Sequence, residues 1–132
     1  MKVIVDTSIW SLAFRRKQPD QKINQSLSEL IQDQRLIMIG PIKQEVLSGY
    51  SDIKKFNLLK EKLSFFPNEL IIDEDYEKAA NFHNLCRAKG IQGSHIDYLI
   101  CSVSYRLNAM IYTTDKDFIH YQKVLPIQLF EE

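Results

Sequence analysis

The sequence predicts an α/β fold, a three-layer α/β/α sandwich on a mainly parallel central sheet of about five strands. Three observations carry that prediction. Short apolar runs recur along the chain, segments with helical spacing of apolar residues lie between them, and the 132 residues are 45% apolar and 26% charged. Continuous apolar runs suit strands covered on both faces, and strands alternating with helices suit parallel pairing. The length suits one hydrophobic core, so a single domain over residues 1–132 is expected.

The runs are Val3-Ile4-Val5, Leu36-Ile37-Met38-Ile39, Leu70-Ile71-Ile72 and Met110-Ile111-Tyr112. The alternating Leu125, Ile127 and Leu129 suit a further strand at an edge with one wetter face. Helical spacing links Ile23, Leu27, Leu30 and Ile31, then Ile42, Val46 and Tyr50, then Ile53, Phe56, Leu59, Leu63 and Phe66. The longest periodic segment follows Ser94 and carries Ile96, Leu99, Ile100, Val103 and Leu107. No repeat, low-complexity tract or Pro/Gly/Ser linker interrupts the series. Trp10, Tyr50 and Phe66 are read as core residues.

Seventeen Lys+Arg balance seventeen Asp+Glu. A zero net charge excludes a polyanion partner held by whole-chain electrostatics alone, so such a partner needs local basic residues or bound cations. Met1-Lys2-Val3-Ile4-Val5-Asp6 breaks its apolar run with an acid after a few residues, unlike a signal peptide or membrane span. A cytoplasmic location without membrane association is therefore expected. Cys86 and Cys101 stand apart from each other and from any paired Cys/His spacing, and are read as buried small hydrophobes.

In parallel sheets ligands bind beyond the carboxyl ends of the strands, where strand order reverses. Asp6 directly follows the first run and Asp115 lies just beyond the fourth. Glu45 falls in the helix opening after the second strand, beside Ile42 and Val46, and Asp97 in the first turn after Ser94. Each acid also has a plain explanation. Ser94-His95-Ile96-Asp97 reads as a capping box in an Asp variant, Asp115 suits an N-cap, Asp6 suits a cap or turn residue, and Glu45 suits a helix surface. Together, however, such carboxylates on one edge repel one another unless protons or a cation neutralise them. Oxygen donors without His or Cys match Mg²⁺ or Mn²⁺ rather than zinc or copper.

A second acidic group, Asp73-Glu74-Asp75 with Glu77, opens the helix after the third strand, which is placed at the sheet edge; capping and dipole compensation explain it. His83 and His120 fall in helical segments without evident partners. His95, beside Asp97, is read as a rim or structural residue.

Four segments taken in order resemble the PIN-domain family and, within it, the VapC toxins: Val5-Asp6-Thr7-Ser8-Ile9-Trp10, Gln44-Glu45-Val46-Leu47-Ser48, Ser94-His95-Ile96-Asp97-Tyr98-Leu99-Ile100 and Thr113-Thr114-Asp115-Lys116-Asp117-Phe118. The resemblance spans essentially the whole chain. It implies a Mg²⁺- or Mn²⁺-dependent endoribonuclease, the toxin of a type II toxin–antitoxin pair, homodimeric and bound by a VapB-like antitoxin. Asp6, Glu45, Asp97 and Asp115 match the family's acidic quartet, with Asp6 and Asp97 foremost as metal ligands. Thr7 and Thr114 match supporting hydroxyls, and Asp117 a further acid of the same turn.

The chemistry this implies is phosphodiester hydrolysis, in which a cation reverses the sign of the local field and activates water for in-line attack. Arg15, Arg16 and Lys17, shortly after Trp10 and Phe14, form the best local basic patch for an RNA backbone; a solvated loop is the alternative. Two other function classes compete. Acid-pocket phosphotransfer, as in receiver domains or haloacid-dehalogenase-like phosphatases, relies on an aspartyl nucleophile. The phosphatase pattern places a second Asp two positions later, where this chain has Ser8. A degenerate PIN scaffold that only binds protein is the other.

Overall fold

The computed structural model of the chain describes residues 1–14, 17–18 and 20–132. Its elements run β1 (Val3–Val5), α1 (Thr7–Ala13), α2 (Gln21–Gln32), β2 (Leu36–Ile39), α3 (Gly40–Ser48), α4 (Ile53–Leu63), β3 (Asn68–Glu69), α5 (Asp73–Ala88), α6 (His95–Leu107), β4 (Met110–Tyr112) and α7 (Asp117–Gln122). The strands pair in parallel in the order β3-β2-β1-β4. Strand order therefore reverses between β1 and β4, the two central to the site below.

Register follows from apolar residues that need cover on both faces. Ile4 pairs with Ile37 on one side and Ile111 on the other, and every residue of β1 is buried. Around this centre pack Trp10, Leu30, Ile42, Leu63, Ile100 and Phe118, all buried. Trp10 satisfies its indole by donating Nε1–H to the Val5 carbonyl at 3.1 Å. Cys86 and Cys101 are also fully buried. Ile31 and Ile53, expected on buried stripes, are instead 44% and 65% exposed, so two of the amphipathic helices end their apolar faces short of them.

Two strand expectations change. The third strand is Asn68–Glu69, not Leu70-Ile71-Ile72, although it does lie at the edge. The backbone after Glu69 is diverted to side chains: the Leu70 carbonyl accepts from Arg106 Nη2 at 2.9 Å, and the Ile72 N–H donates to Asp75 Oδ2 at 3.0 Å. Groups so engaged are withdrawn from a ladder. The expected edge strand over Leu125–Leu129 reduces to a single parallel bridge, Ile111 to Leu129. The Ile127 N–H turns back onto the Leu125 carbonyl at 2.9 Å around Pro126, a three-residue turn that suits proline's fixed φ and prevents an extended run. Leu125 and Ile127 are nonetheless buried. The described sheet has four strands where about five were expected.

Candidate acidic crevice at the strand reversal

The β1–β4 pairing sets the site. Beyond Val5 the ladder continues for one more bond, from the Asp6 N–H to the Tyr112 carbonyl at 2.9 Å, which carries Asp6 alongside the residues that follow β4. Asp6 then occupies the N-cap position of α1, but its side chain makes no cap hydrogen bond. Its Oδ2 instead accepts from the Thr113 hydroxyl at 2.8 Å and the Ser8 hydroxyl at 3.1 Å. Asp6 is 7% exposed, so these two hydroxyls help offset the cost of burying charge.

The turn after β4 is held by the same groups. The Ser8 hydroxyl accepts from the Thr114 N–H at 3.1 Å, and the Thr113 hydroxyl accepts from the Asp115 N–H at 3.0 Å. Asp115 Oδ1 accepts in turn from the Asp117 N–H at 2.9 Å, a local bond just ahead of α7, whose N-cap is Lys116 rather than Asp115. Thr7 and Glu45 meet as well: the Thr7 hydroxyl donates to Glu45 Oε1 at 2.8 Å, tying the start of α1, which follows β1, to α3, which follows β2.

Ser94 caps α6, its hydroxyl accepting from the Asp97 N–H at 3.1 Å. The Asp97 carboxylate has a second engagement, because its Oδ2 accepts from the buried Tyr121 hydroxyl at 2.7 Å. Burial pushes the Asp97 carboxyl above the ordinary Asp range; hydrogen bonds from Tyr121 and Ser94 oppose the rise, and the charges of Asp115 and Asp6 add to it. Desolvation and the bond to Asp97 raise the Tyr121 phenol in the same way, so the phenol stays protonated and donates. Gly93 makes this contact possible. A Cβ there would stand 2.5 Å from the Tyr121 oxygen and 2.7 Å from that of Tyr98.

Asp97, Asp115 and Asp117 each offer one carboxylate oxygen within 4.8 Å of the others. Three such charges at that spacing repel unless neutralised, and an all-oxygen donor set fits a hard divalent cation. Asp117 thus joins the group more closely than its expected supporting place. Asp6 lies near enough for its charge to act on Asp97, while Glu45 faces Thr7 at the border. Among the described residues the hydroxyls that hold Asp6 belong to Ser8 and Thr113, whereas Thr114 is exposed and contributes its N–H. The sequence alone does not mark Thr113, Ser8 and Tyr121 as site residues. The period-two alternation of a strand hints at Thr113, but nothing local marks Tyr121.

Arg15 and Arg16 lie outside the described residues. Lys17 is exposed and lines a separate groove with Phe14, Tyr50, Lys55 and Lys62, of volume about 490 Å³. His83 has the partners its sequence context did not show: its ring stacks on Tyr98 at 4.8 Å and meets His95 edge-on at 5.2 Å. Within the second acidic group, Asp75 is 2% exposed and paired with Arg106 rather than left to the helix terminus alone. Among the described residues no helix is long and apolar enough to cross a membrane.

Comparison with known proteins agrees with this architecture. The chain is 28% identical over 130 residues to Ribonuclease VapC11 of Mycobacterium tuberculosis, covering 96% of each chain, and equally to a VapC ribonuclease of Mycobacterium bovis. Among solved structures it is similar to FitAcB from Neisseria gonorrhoeae, with a TM-score of 0.80 at 18% identity over 98% of this chain and 96% of that one. It is likewise similar to VapBC-1 from nontypeable Haemophilus influenzae, with a TM-score of 0.77 at 15% identity over 99% and 98% of the two chains. Residues 3–124 match the PIN domain, and with a match over that much of its length the chain belongs to the PIN domain family.

Proposed function

We propose that the chain is a divalent-cation-dependent endoribonuclease of the VapC kind, the toxin of a toxin–antitoxin pair. The observation that carries the reading is the convergence of Asp97, Asp115 and Asp117 within 4.8 Å at the edge where Asp6 emerges from β1. The curated relatives are named as VapC ribonucleases, which supports the reaction class, and the similar structures are of FitAB and VapBC assemblies, which supports a VapB-like antitoxin as partner. RNA as substrate, a homodimer and a cytoplasmic site of action belong to the same reading.

In this reading Asp6, Glu45, Asp97 and Asp115 are the catalytic acids and, with Asp117, the oxygen donors for Mg²⁺ or Mn²⁺. When bound, such a cation supplies positive charge for a nonbridging phosphate oxygen and lowers the pKa of water for in-line attack. The chain's own groups keep the donors in place. Thr113 and Ser8 fix one oxygen of Asp6, Tyr121 fixes one oxygen of Asp97, and Thr7 fixes one oxygen of Glu45. A preset donor set costs little reorganisation when phosphate arrives.

The test is cleavage of single-stranded RNA with Mg²⁺ or Mn²⁺ by the parent chain, Asp6→Asn and Asp97→Asn. Cleavage by the parent and none by either folded variant is expected; full activity in both variants would remove the crevice from the reaction. An aspartyl adduct formed with acetyl phosphate would instead favour phosphotransfer.

A further inference from the structure

A second cavity, about 390 Å³, lies between α5 and the start of α6. We propose that it receives a nucleobase of the RNA strand next to the phosphodiester held at the acidic crevice. The proposal rests on the nuclease reading above and names the substrate class further: an unpaired, unstacked base in single-stranded RNA or a loop.

Three features point there. The first is size, since the cavity falls in the range of about 300–1,000 Å³ typical of small-ligand pockets. The second is chemistry. The lining contains no carboxylate; it combines the rings of Tyr76, His83 and His95 with the Asn84 amide and the Arg87 guanidinium. Aromatic and imidazole rings stack on bases, an amide reads a base edge with a donor and an acceptor, and a guanidinium receives phosphate. Tyr76 is 54% exposed, and Asn84 and Arg87 are exposed too, so these groups face solvent rather than the core. Arg87 forms no ion pair among the described residues. His83 is braced from behind, stacked on the buried Tyr98, which presets its ring.

The third feature is position. His95 and Asp97 belong to the same first turn of α6, two residues apart and therefore on roughly opposite sides of the helix. The cavity and the carboxylates consequently flank one helix end, separated by about one helix diameter, on the order of 10 Å. A strand whose phosphate sits at Asp97 passes this helix end, and a neighbouring base can turn into the cavity. Double-stranded RNA cannot offer a base this way, because its bases are stacked and paired.

Binding of short single-stranded RNA oligonucleotides to the full chain in EDTA, followed by fluorescence anisotropy and by the histidine ring resonances in NMR, tests this without relying on cleavage. Binding should shift the His83 and His95 rings, and Tyr76→Ala and Asn84→Ala, both exposed positions, should each weaken it about fivefold or more. One abasic position in the oligonucleotide should lower parental affinity to the level of Tyr76→Ala and add nothing further to that variant. Ring shifts without any Mg²⁺-dependent cleavage would support the cavity and remove the nuclease reading. Cleavage with unmoved rings and unchanged variant affinities would keep the nuclease reading and overturn the cavity. Variants that turn a dimer into a monomer, with RNA binding unchanged, would overturn it in favour of contact with a second copy; absence of RNA binding in EDTA would overturn the cavity, and absence of cleavage with Mg²⁺ or Mn²⁺ as well would overturn both.

Discussion

Tyr121 shows how one residue outside the acidic set shapes the chemistry of one inside it. Its hydroxyl stabilises the charged form of Asp97, against the opposing effects of burial and of the Asp115 and Asp6 charges. Tyr121→Phe removes that bond, so the Asp97 carboxyl rises further and the acidic limb of the activity profile moves toward neutral pH. Metal affinity should fall about tenfold, the usual cost of losing a group that orients a ligand, and stability by about 1 kcal/mol. Metal titration by calorimetry and a pH–rate profile check both effects. Asp97 itself gives a stability prediction of defined sign. Its folded-state carboxyl is raised above the ordinary value of 3.8, so above that value the folded chain binds more protons than the unfolded one. Stability is therefore lost as pH climbs through the window between the two values. Asp97→Asn removes the titration yet keeps an acceptor for Tyr121, so without metal it should melt higher than the parent near neutral pH. That advantage should shrink toward about pH 4, as thermal denaturation across pH would show. Asp6 and Asp115 stand out as candidates because they lie at or just beyond the ends of apolar runs, and Glu45 and Asp97 because they fall near helix starts beside buried stripes. Thr113, Ser8 and Tyr121 do not, because their roles depend on partners up to 107 positions away.

Among the elements, α5 and α6 form the frame that carries both the Asp97 turn and the second cavity. Their fixed point is Arg106 near the end of α6, which donates Nε–H to Asp75 Oδ1 at 2.8 Å and Nη2–H to Asp75 Oδ2 at 2.9 Å. Asp75 is nearly inaccessible, and its remaining bond goes to the Ile72 N–H. Arg106→Ala leaves that carboxylate buried without its partner, which should cost about 3 kcal/mol, measured by urea unfolding. Replacing both residues by apolar ones of similar size should recover much of the loss. The loop that enters α6 is constrained by its lack of a side chain at Gly93. Gly93→Ala would push on the Tyr98 and Tyr121 hydroxyls, destabilising the fold by about 1–3 kcal/mol and turning Tyr121 away from Asp97. A combined loss of stability and metal affinity is expected from that one methyl group. The apolar pattern located β1, β2 and β4 because each is buried on both faces. It misplaced β3, since Leu70-Ile71-Ile72 is as apolar as a strand while its backbone is taken by Arg106 and Asp75.

For the whole molecule, the balance of seventeen basic and seventeen acidic residues acquires a spatial meaning. Several acids gather at one edge of the sheet, so the rest of the surface carries a basic excess that the average conceals. A cation binding there relieves repulsion in the folded chain alone, and at a hundredfold excess over its dissociation constant it adds about 2.7 kcal/mol. Mg²⁺ or Mn²⁺ should accordingly raise the melting temperature by roughly 8 °C, and the rise should vanish in Asp97→Asn. What the sequence determined by itself was the alternation of strand and helix, the parallel sheet and the acids at strand ends and helix starts. Those are consequences of local periodicity and of where apolar runs stop. Only the tertiary structure decided which hydroxyl holds which acid, that Asp117 joins Asp97 and Asp115, and that a ring-lined cavity flanks the same helix end. Such contacts join residues far apart in the chain, and their geometry is set by strand order, register and the close approach at Gly93.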